Sequence, residues 1–360
     1  MKKLFFGIMT LFTTMSYAQI DSLKQESPLK ISGYADVYYS YDFGNPSHHN
    51  RPNFMYAFQR HNEVNLNIGI IKASYNKENV RANIALGTGT YMNANYAAES
   101  GVLKNIYEAN IGVKLSKSKD IWLDAGILPS HIGWESAIGT DCWTLTRSIA
   151  AENSPYFETG ARVSYTSDNG KLYLAGLVLN GWQRIQKVDG NNSISFGHQL
   201  TYKFNDKISI NSSSFIGNDK TDSLRQMRYF HDLYANFQLN EKWALLAGFD
   251  IGVEQKEKAS SQYNCWYSPV MMAHFTPNEK SRLSARLEYY NDKNGVMIPT
   301  ETKNGFQTFG YSINYDYKIL DNVMWRVEAR GLSSKDRIFE KDNQLVPNNY
   351  FVTTSLAVSF

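Results

Sequence analysis

The sequence predicts an all-β chain: a transmembrane, antiparallel, up-and-down β-barrel of about sixteen strands, with fourteen and eighteen as alternative counts. Three observations predict it. The chain ends on an alternating apolar strand whose last residue is Phe360. It begins with an export-type segment and has no long apolar run afterwards. Its strand connections alternate short and long from end to end.

In residues 349–360 (NYFVTTSLAVSF), Tyr350, Val352, Thr354, Leu356, Val358 and Phe360 share one parity, and only Thr354 among them is polar. Thr353, Ser355, Ala357 and Ser359 take the other parity, with Phe351 as the exception. Such alternation is a half-buried strand. A strand that closes the chain on a Phe carboxylate resembles the C-terminal signal by which Gram-negative outer-membrane barrels are recognised for insertion. The resemblance implies a place in the cell outer membrane, lipid against the apolar parity, and the barrel-assembly machinery as a partner acting through Phe360 and its strand.

At the other end, Met1-Lys2-Lys3 is basic, Leu4 to about Met15 is apolar, and Ser16-Tyr17-Ala18 precedes Gln19 as a cleavage site. This is the layout of a cleaved secretory signal peptide over 1–18, leaving 19–360 as the barrel. The run is shorter than the ~20 apolar residues of a spanning helix. No later stretch approaches that length, so only a closed barrel could cross a membrane.

Composition agrees. The mean hydropathy of −0.43 suits a barrel that is polar inside and in its loops. Aromatic content is 14%, with 24 Tyr, a residue suited to the membrane–water interface. A net charge of +3 is small and argues neither for a nucleic-acid nor for an acidic partner; none is expected. Cys142 and Cys265 could pair, but connectivity is not readable from sequence.

Strands are expected at 29–41, 62–75, 80–90, 106–115, 121–128, 158–167, 171–181, 193–204, 207–217, 229–239, 242–254, 264–276, 281–290, 306–318, 322–332 and 349–360. Asn-, Asp-, Gly- and Ser-rich tight turns such as 76–79, 167–170 and 205–206 alternate with long segments such as 42–61, 91–105 and 129–157. Short periplasmic turns and long external loops are the barrel pattern.

The faces fix the register. In 281–290, Leu283, Ala285, Leu287 and Tyr289 form one side, and Arg282, Ser284, Arg286, Glu288 and Tyr290 the other. A slip of one residue would turn both arginines to lipid, at about 2–4 kcal/mol each near the midplane. Val323, Trp325, Val327 and Ala329 oppose Arg326, Glu328 and Arg330 in the same way. Trp122, Trp243 and Trp325 are expected in a periplasmic aromatic girdle, and Tyr38, Tyr39, Tyr41, Tyr229, Tyr289 and Tyr290 in an external one.

A sixteen-strand barrel leaves an aqueous lumen. Expected on its wall are Arg162, Asp232, Asp250, Arg282, Arg286, Glu288, Arg326, Glu328 and Arg330, with Arg81, Glu108, Lys114 and Asp124. The arginines could guide anions. Glu alternates with Arg on two of these strands, so the same groups could instead pair and brace the wall. An outer-membrane enzyme is the rival class, but His231-Asp232 and Ser130-His131 are neighbours that face opposite sides of a strand. His48, His49 and His61 lack the acidic or thiol partners of a metal site. No cofactor motif is present.

Gly126-Ile127-Leu128-Pro129-Ser130-His131-Ile132-Gly133-Trp134-Glu135, Thr146-Arg147-Ser148, Pro155 and Thr159-Gly160 resemble the central block of the OmpL-like β-barrel porin family. Asn180-Gly181-Trp182, Tyr263-Asn264 with Trp266, and Arg286-Leu287-Glu288-Tyr289-Tyr290 with Asp292 also resemble it. The resemblance implies an outer-membrane porin that passes small hydrophilic solutes or ions by passive diffusion, and no catalytic residue. An adhesin or structural barrel without an open pore is the alternative. Segment 129–157 is the third external loop and is unusually apolar for a solvated one. In general porins the third loop narrows the channel; by that analogy Glu135, Asp141, Arg147 and Glu152 are the constriction candidates. Oligomerisation is possible, with no patch that singles out an interface.

Overall fold

The computed structural model describes residues 27–360; the expected signal segment lies outside the described residues. The strands run β1 Leu29–Asp42, β2 Val64–Lys77, β3 Val80–Thr88, β4 Ile106–Lys114, β5 Asp120–Pro129, β6 Phe157–Thr166, β7 Leu172–Leu179 and β8 Ser195–Asn205. They continue with β9 Ile208–Asn218, β10 Met227–Gln238, β11 Trp243–Gln255, β12 Tyr263–Phe275, β13 Ser281–Asp292, β14 Phe306–Leu320 and β15 Val323–Ser334. A small hairpin, β16 Phe339–Lys341 and β17 Gln344–Val346, lies in the last external loop, and β18 Asn348–Ser359 ends the barrel. Helices α1 (Thr90–Asn95) and α2 (Ile149–Glu152) sit in the second and third external loops.

Sixteen strands pair each with the next, and β18 closes on β1 from Tyr34↔Ser359 to Asp42↔Phe351. Every expected barrel strand is found within two residues of its place; the β16–β17 hairpin is additional. Closure leaves no unpaired sheet edge, the condition for a sheet in lipid. The seam extends to the last residue: Gly33 N–H donates to the Phe360 carbonyl (2.7 Å) and Phe360 N–H to the Gly33 carbonyl (3.0 Å). The Phe360 ring lies where a Cβ at position 33 would be, so a side chain there would push the ring off the seam.

Apolar and polar residues alternate between the two faces around the barrel. Ile71, Ile111, Leu287, Ile313, Trp325 and Leu356 are exposed on the outside. Asp36, Asp124, Arg286, Asp316, Arg326 and Thr353 are buried on the inside. Three expected girdle residues are instead inside. Trp122 shares the parity of Asp124 and lies under the Arg81 guanidinium, 4.2 Å from the ring centre. Tyr38 shares the parity of Asp36 and Ser40, and Tyr290 that of Arg286 and Glu288; both are buried. A strand's parity decides its face, whatever girdle an aromatic residue's height suggests.

The interior is not uniformly polar. At its external end, inward-facing Leu177, Leu179, Phe215, Phe230, Trp266, Phe306, Leu332 and Phe351 form an apolar collar with Tyr290. Phe54 and Met55 of the first external loop, and Ile132 and Ile149 of the third, fill it. Burying each such side chain is worth about 1.5–3 kcal/mol.

Candidate functional site: a loop clamped inside the barrel

Residues 129–157 turn into the barrel and cross it. Little of this segment is helix or strand, so its backbone groups need partners from elsewhere. The wall supplies them. Carboxylates and amides accept loop N–H groups: Gly133 to Asp232 (3.3 Å), Leu145 to Asn314 (3.0 Å), Thr146 to Glu328 (2.5 Å) and Ile149 to Glu288 (2.6 Å). Arginines donate to loop carbonyls: Arg282 and Arg326 to Cys142 (3.2 and 2.9 Å), Arg286 to Thr146 (2.6 Å), Arg330 to Arg147 (2.7 Å), and Arg326 also to Gly139. Hydrogen bonds to charged groups are worth about 1.5–3 kcal/mol each, which makes this a firm clamp.

The register places these groups. Arg282, Asp316 and Arg326 stand side by side on β13, β14 and β15, as do Ser284, Asn314 and Glu328, and Arg286, Ser312 and Arg330. The wall is neutralised internally. Arg286 meets Glu328 at 3.0 Å and Glu288 at 3.3 Å, Arg330 meets Glu288 at 2.5 Å, and Arg326 meets Asp316 at 2.7 Å. The structure thus brings together Arg286, Glu288, Arg326, Glu328 and Arg330 beneath the loop, buried, and Asp232 and Asp250 directly opposite each other on β10 and β11. Arg162 and Arg282 remain partly open to the lumen.

The start of the loop is pinned by His131. Its Nδ1 lies 2.6 Å from Glu158 and its Nε2 2.8 Å from the Ser214 carbonyl. Both partners can accept, so this geometry favours the imidazolium, with both ring nitrogens donating. Burial opposes that charge, but Glu158 and the Ser214 carbonyl outweigh it and hold the His131 pKa above the usual imidazole value.

Of the constriction candidates, Arg147 and Glu152 are buried, Glu135 is half-buried with its side chain covered, and Asp141 is exposed. Glu135 accepts from Ser148 N–H (2.9 Å) and its hydroxyl. Arg147 donates to the Ser136 (2.6 Å), Ala137 (3.2 Å) and Leu145 carbonyls, so it shapes the loop's own backbone. Glu152 accepts Tyr56 N–H (2.9 Å) and Ala57 N–H (3.2 Å), seating the first external loop on the third. Asp141 is exposed, beside a cavity of about 100 Å³ lined by Trp134, Glu135, Trp143 and Asn236.

Burial pushes the Glu152 carboxyl up to about 7, against the pull of the Tyr56 amide and Arg147. Below the ordinary glutamate value of about 4.5, both the folded and unfolded chains hold this proton. Between there and about 7 only the folded chain does, so this contribution to stability falls as pH rises. The expected result is that Glu152→Gln makes the unfolding midpoint less pH-dependent between about pH 5 and 7. Unfolding titrations of both proteins check this, and equal slopes contradict it.

Four of the lumenal ion pairs share a bias. Lys72 is 31% exposed and its partner Glu108 5%; Arg81 is 30% exposed and Asp124 2%. Arg162, on the same Asp124, is 20% exposed, as is Arg282 over the 2% exposed Asp316. In each pair the cation meets water and the carboxylate lies behind it. Lys114, 3.8 Å from Asp120, is the exception: it is 26% exposed and its carboxylate partner 48%.

The parts not anticipated are the apolar collar and the seat of the first loop on Glu152. The inward parity of β7, Tyr173-x-Ala175-x-Leu177-x-Leu179, carried the signal for the collar. Cys142 is buried in the loop and Cys265 exposed on the outer face; both are free. His49 and His61 stack at 6.1 Å, and His61 Nδ1 accepts the Asp42 N–H. Among the described residues no cluster could hold a metal ion.

Comparison with known proteins gives a family model, described as "Putative beta-barrel porin-2, OmpL-like", matching residues 28–360. No curated protein matches. Among solved structures, the trimer form of OmpT from Vibrio cholerae aligns with a TM-score of 0.60 at 8% identity, covering 92% of this chain and 99% of that one. An anion-selective porin from Comamonas acidovorans gives 0.60 at 10%, covering 93% and 100%. The channel DcaP of Acinetobacter baumannii gives 0.58 at 10%, covering 92% and 97%. These likenesses concern the fold. The family match spans nearly the whole described chain, and with the closed barrel it shows that the chain belongs to the OmpL-like β-barrel porin family, a family of outer-membrane channels.

Proposed function

We propose that the protein passes small hydrophilic solutes and ions across the outer membrane by passive diffusion, with a preference for anions. The observation that carries the preference is the bias of the lumenal ion pairs: Lys72, Arg81, Arg162 and Arg282 present charge to water while their carboxylates lie behind them. A surface of one sign raises the local concentration of the opposite ion. Loop 129–157 narrows the path, with Asp141 as its water-facing charge. Glu135, Arg147 and Glu152 hold the loop's shape, and Arg286, Glu288, Arg326, Glu328 and Arg330 hold it in place. Phe54 and Met55 fill the collar, so the path opens when the first loop withdraws.

Removal of residues 1–18 on export, insertion through the assembly machinery, and assembly into oligomers belong to the same reading. The trimer form of OmpT supports the last. The edge contacts of Phe360 with β1 support a role in closure: deleting Phe360 is expected to reduce the folded, heat-modifiable fraction in outer-membrane extracts severalfold. An unchanged fraction removes that role.

The anion preference is tested by the reversal potential in a KCl gradient. Wild type is expected to favour chloride, and Arg81→Gln with Arg162→Gln to move the potential toward zero. No movement means that these cations do not face the ion path. A closed structural barrel is the second reading, and the filled collar favours it. Liposome swelling by small neutral sugars separates the two: swelling supports the channel.

A further inference from the structure

The external end of the barrel holds a cavity of about 590 Å³ above the collar, within the size range of small-molecule sites. Phe54 and Phe306 meet edge-to-face (4.8 Å between centroids), and Ile298, Pro299 and Ile338 add apolar surface. Among this apolar lining stand two buried polar side chains with unspent hydrogen-bonding capacity, Arg51 and Asn349.

Arg51 is 2% exposed and forms no ion pair among the described residues, with Asp42 and Glu152 the acidic groups acting on it from further off. Its guanidinium stacks on Phe351 at 3.7 Å. One Nη donates to the Phe58 carbonyl (3.1 Å), and the other reaches only the Met55 thioether (3.0 Å), a weak acceptor. Its Nε has no partner. A guanidinium has a fork that takes a carboxylate in two parallel bonds, and Arg51 has Nε and a weakly bonded Nη to offer. Asn349 is 3% exposed; its NH₂ donates to Asp42 (2.7 Å) and its carbonyl oxygen has no partner. The cavity wall thus contains an unspent donor on a cation and an unspent acceptor, each covered just beneath its surface.

The other charged groups do not cancel this. Asp42 Oδ1 already accepts Gly44 N–H (2.8 Å) and the Asn349 amide. Glu340 accepts Ser47 N–H (3.1 Å). Glu301 and Arg337, both exposed, lie on the same wall and oppose each other in sign.

We propose that this vestibule binds a small organic acid with a compact apolar body and a hydroxyl or ammonium group beside the carboxylate. Arg51 takes the carboxylate, Asn349 accepts from the hydroxyl or ammonium, and Phe54, Phe306, Ile298 and Ile338 cover the apolar body. The proposal deepens the channel reading, because the floor of the site is the first-loop segment that fills the collar. A bound acid would contact that segment before passage.

The test is isothermal titration of the folded full chain in detergent with 3-phenyllactate, phenylalanine, 3-phenylpropionate and 2-phenylethanol. Phenyllactate, phenylalanine or both are expected to bind tightest. Phenylpropionate, which leaves Asn349 unpaired, is expected to bind about tenfold more weakly, and phenylethanol about a hundredfold more weakly. Arg51→Gln is expected to lose acid binding, and Ile338→Trp, which fills the cavity from the loop side, to lose it as well. Equal affinity for phenylethanol, no heat with any acid, or full binding by either folded variant overturns the proposal. If Arg51→Gln does not fold, Ile338→Trp alone decides. Calorimetry does not need conduction: a barrel that conducts without binding overturns the site alone, and one that binds without conducting overturns the channel reading alone.

Discussion

Replacing Arg286 with leucine is expected to cost about 3–5 kcal/mol of folding stability, the range for removing one partner of a buried ion pair. The side chain bonds Thr144 (2.7 Å), the Thr146 carbonyl (2.6 Å) and hydroxyl (3.1 Å), and Glu328 (3.0 Å). It also lies within 3.3 Å of Glu288 and 3.7 Å of Glu135. Its loss leaves three buried carboxylates short of a cation and frees the middle of the third loop. Arg282→Leu is the comparison: that side chain is 20% exposed, makes one bond to the loop and leaves Asp316 its pair with Arg326, so the loss is expected to be smaller, about 1.5–3 kcal/mol. Urea titrations of the folded barrel measure both. The leucine at position 286 should also raise conductance and current noise as the loop loosens. Equal costs at 282 and 286 would show that the ladder does not clamp the loop.

The second large effect is expected from the first external loop. Phe54 and Met55 enter the collar from a segment flanked by His49, Phe58 and Asn62, non-glycine residues in the left-handed region (φ 53°, 55° and 56°). A bulky residue such as Phe58 rarely adopts that conformation, which costs of the order of 1–3 kcal/mol. The segment is held by Glu152, by Asn67 accepting Phe58 N–H (2.9 Å), and by Asn153 donating to the Phe54 carbonyl (3.2 Å). Replacing Phe54 and Met55 together with serine removes the apolar filling and lets water into the collar. An apolar constriction conducts poorly because it dewets, so the variant is expected to show severalfold higher conductance. Unchanged conductance would place the ion path elsewhere.

Much of this architecture was legible in the sequence, because a lipid-facing barrel makes parity unambiguous. Arg282, Arg286, Arg326 and Arg330 cannot face hydrocarbon cheaply, so they fix the inside of β13 and β15 and, through pairing, of their neighbours. Trp122, Tyr38 and Tyr290 obey the same parity and lie inside, against the girdle positions that their heights near the strand ends suggest. The pairing of Arg286 with Glu328 and of Arg330 with Glu288 was foreseeable only as an alternative. Wall arginines look alike in sequence whether they face water or a loop. What decides is the backbone of residues 133–149, whose need for partners is invisible in side-chain patterns. The collar was missed for a related reason: Phe215, Phe230 and Phe351 stand among polar inward neighbours and read singly as exceptions. Only closure of the barrel brings them to one height.

Single-channel recording in a planar bilayer tests the central claim most directly. Folded protein is expected to produce discrete conductance steps, larger in the Phe54 and Met55 double variant and carried mainly by chloride in a salt gradient. Silence from both the wild type and that variant, with heat-modifiability proving both folded, would contradict the account and leave a structural barrel.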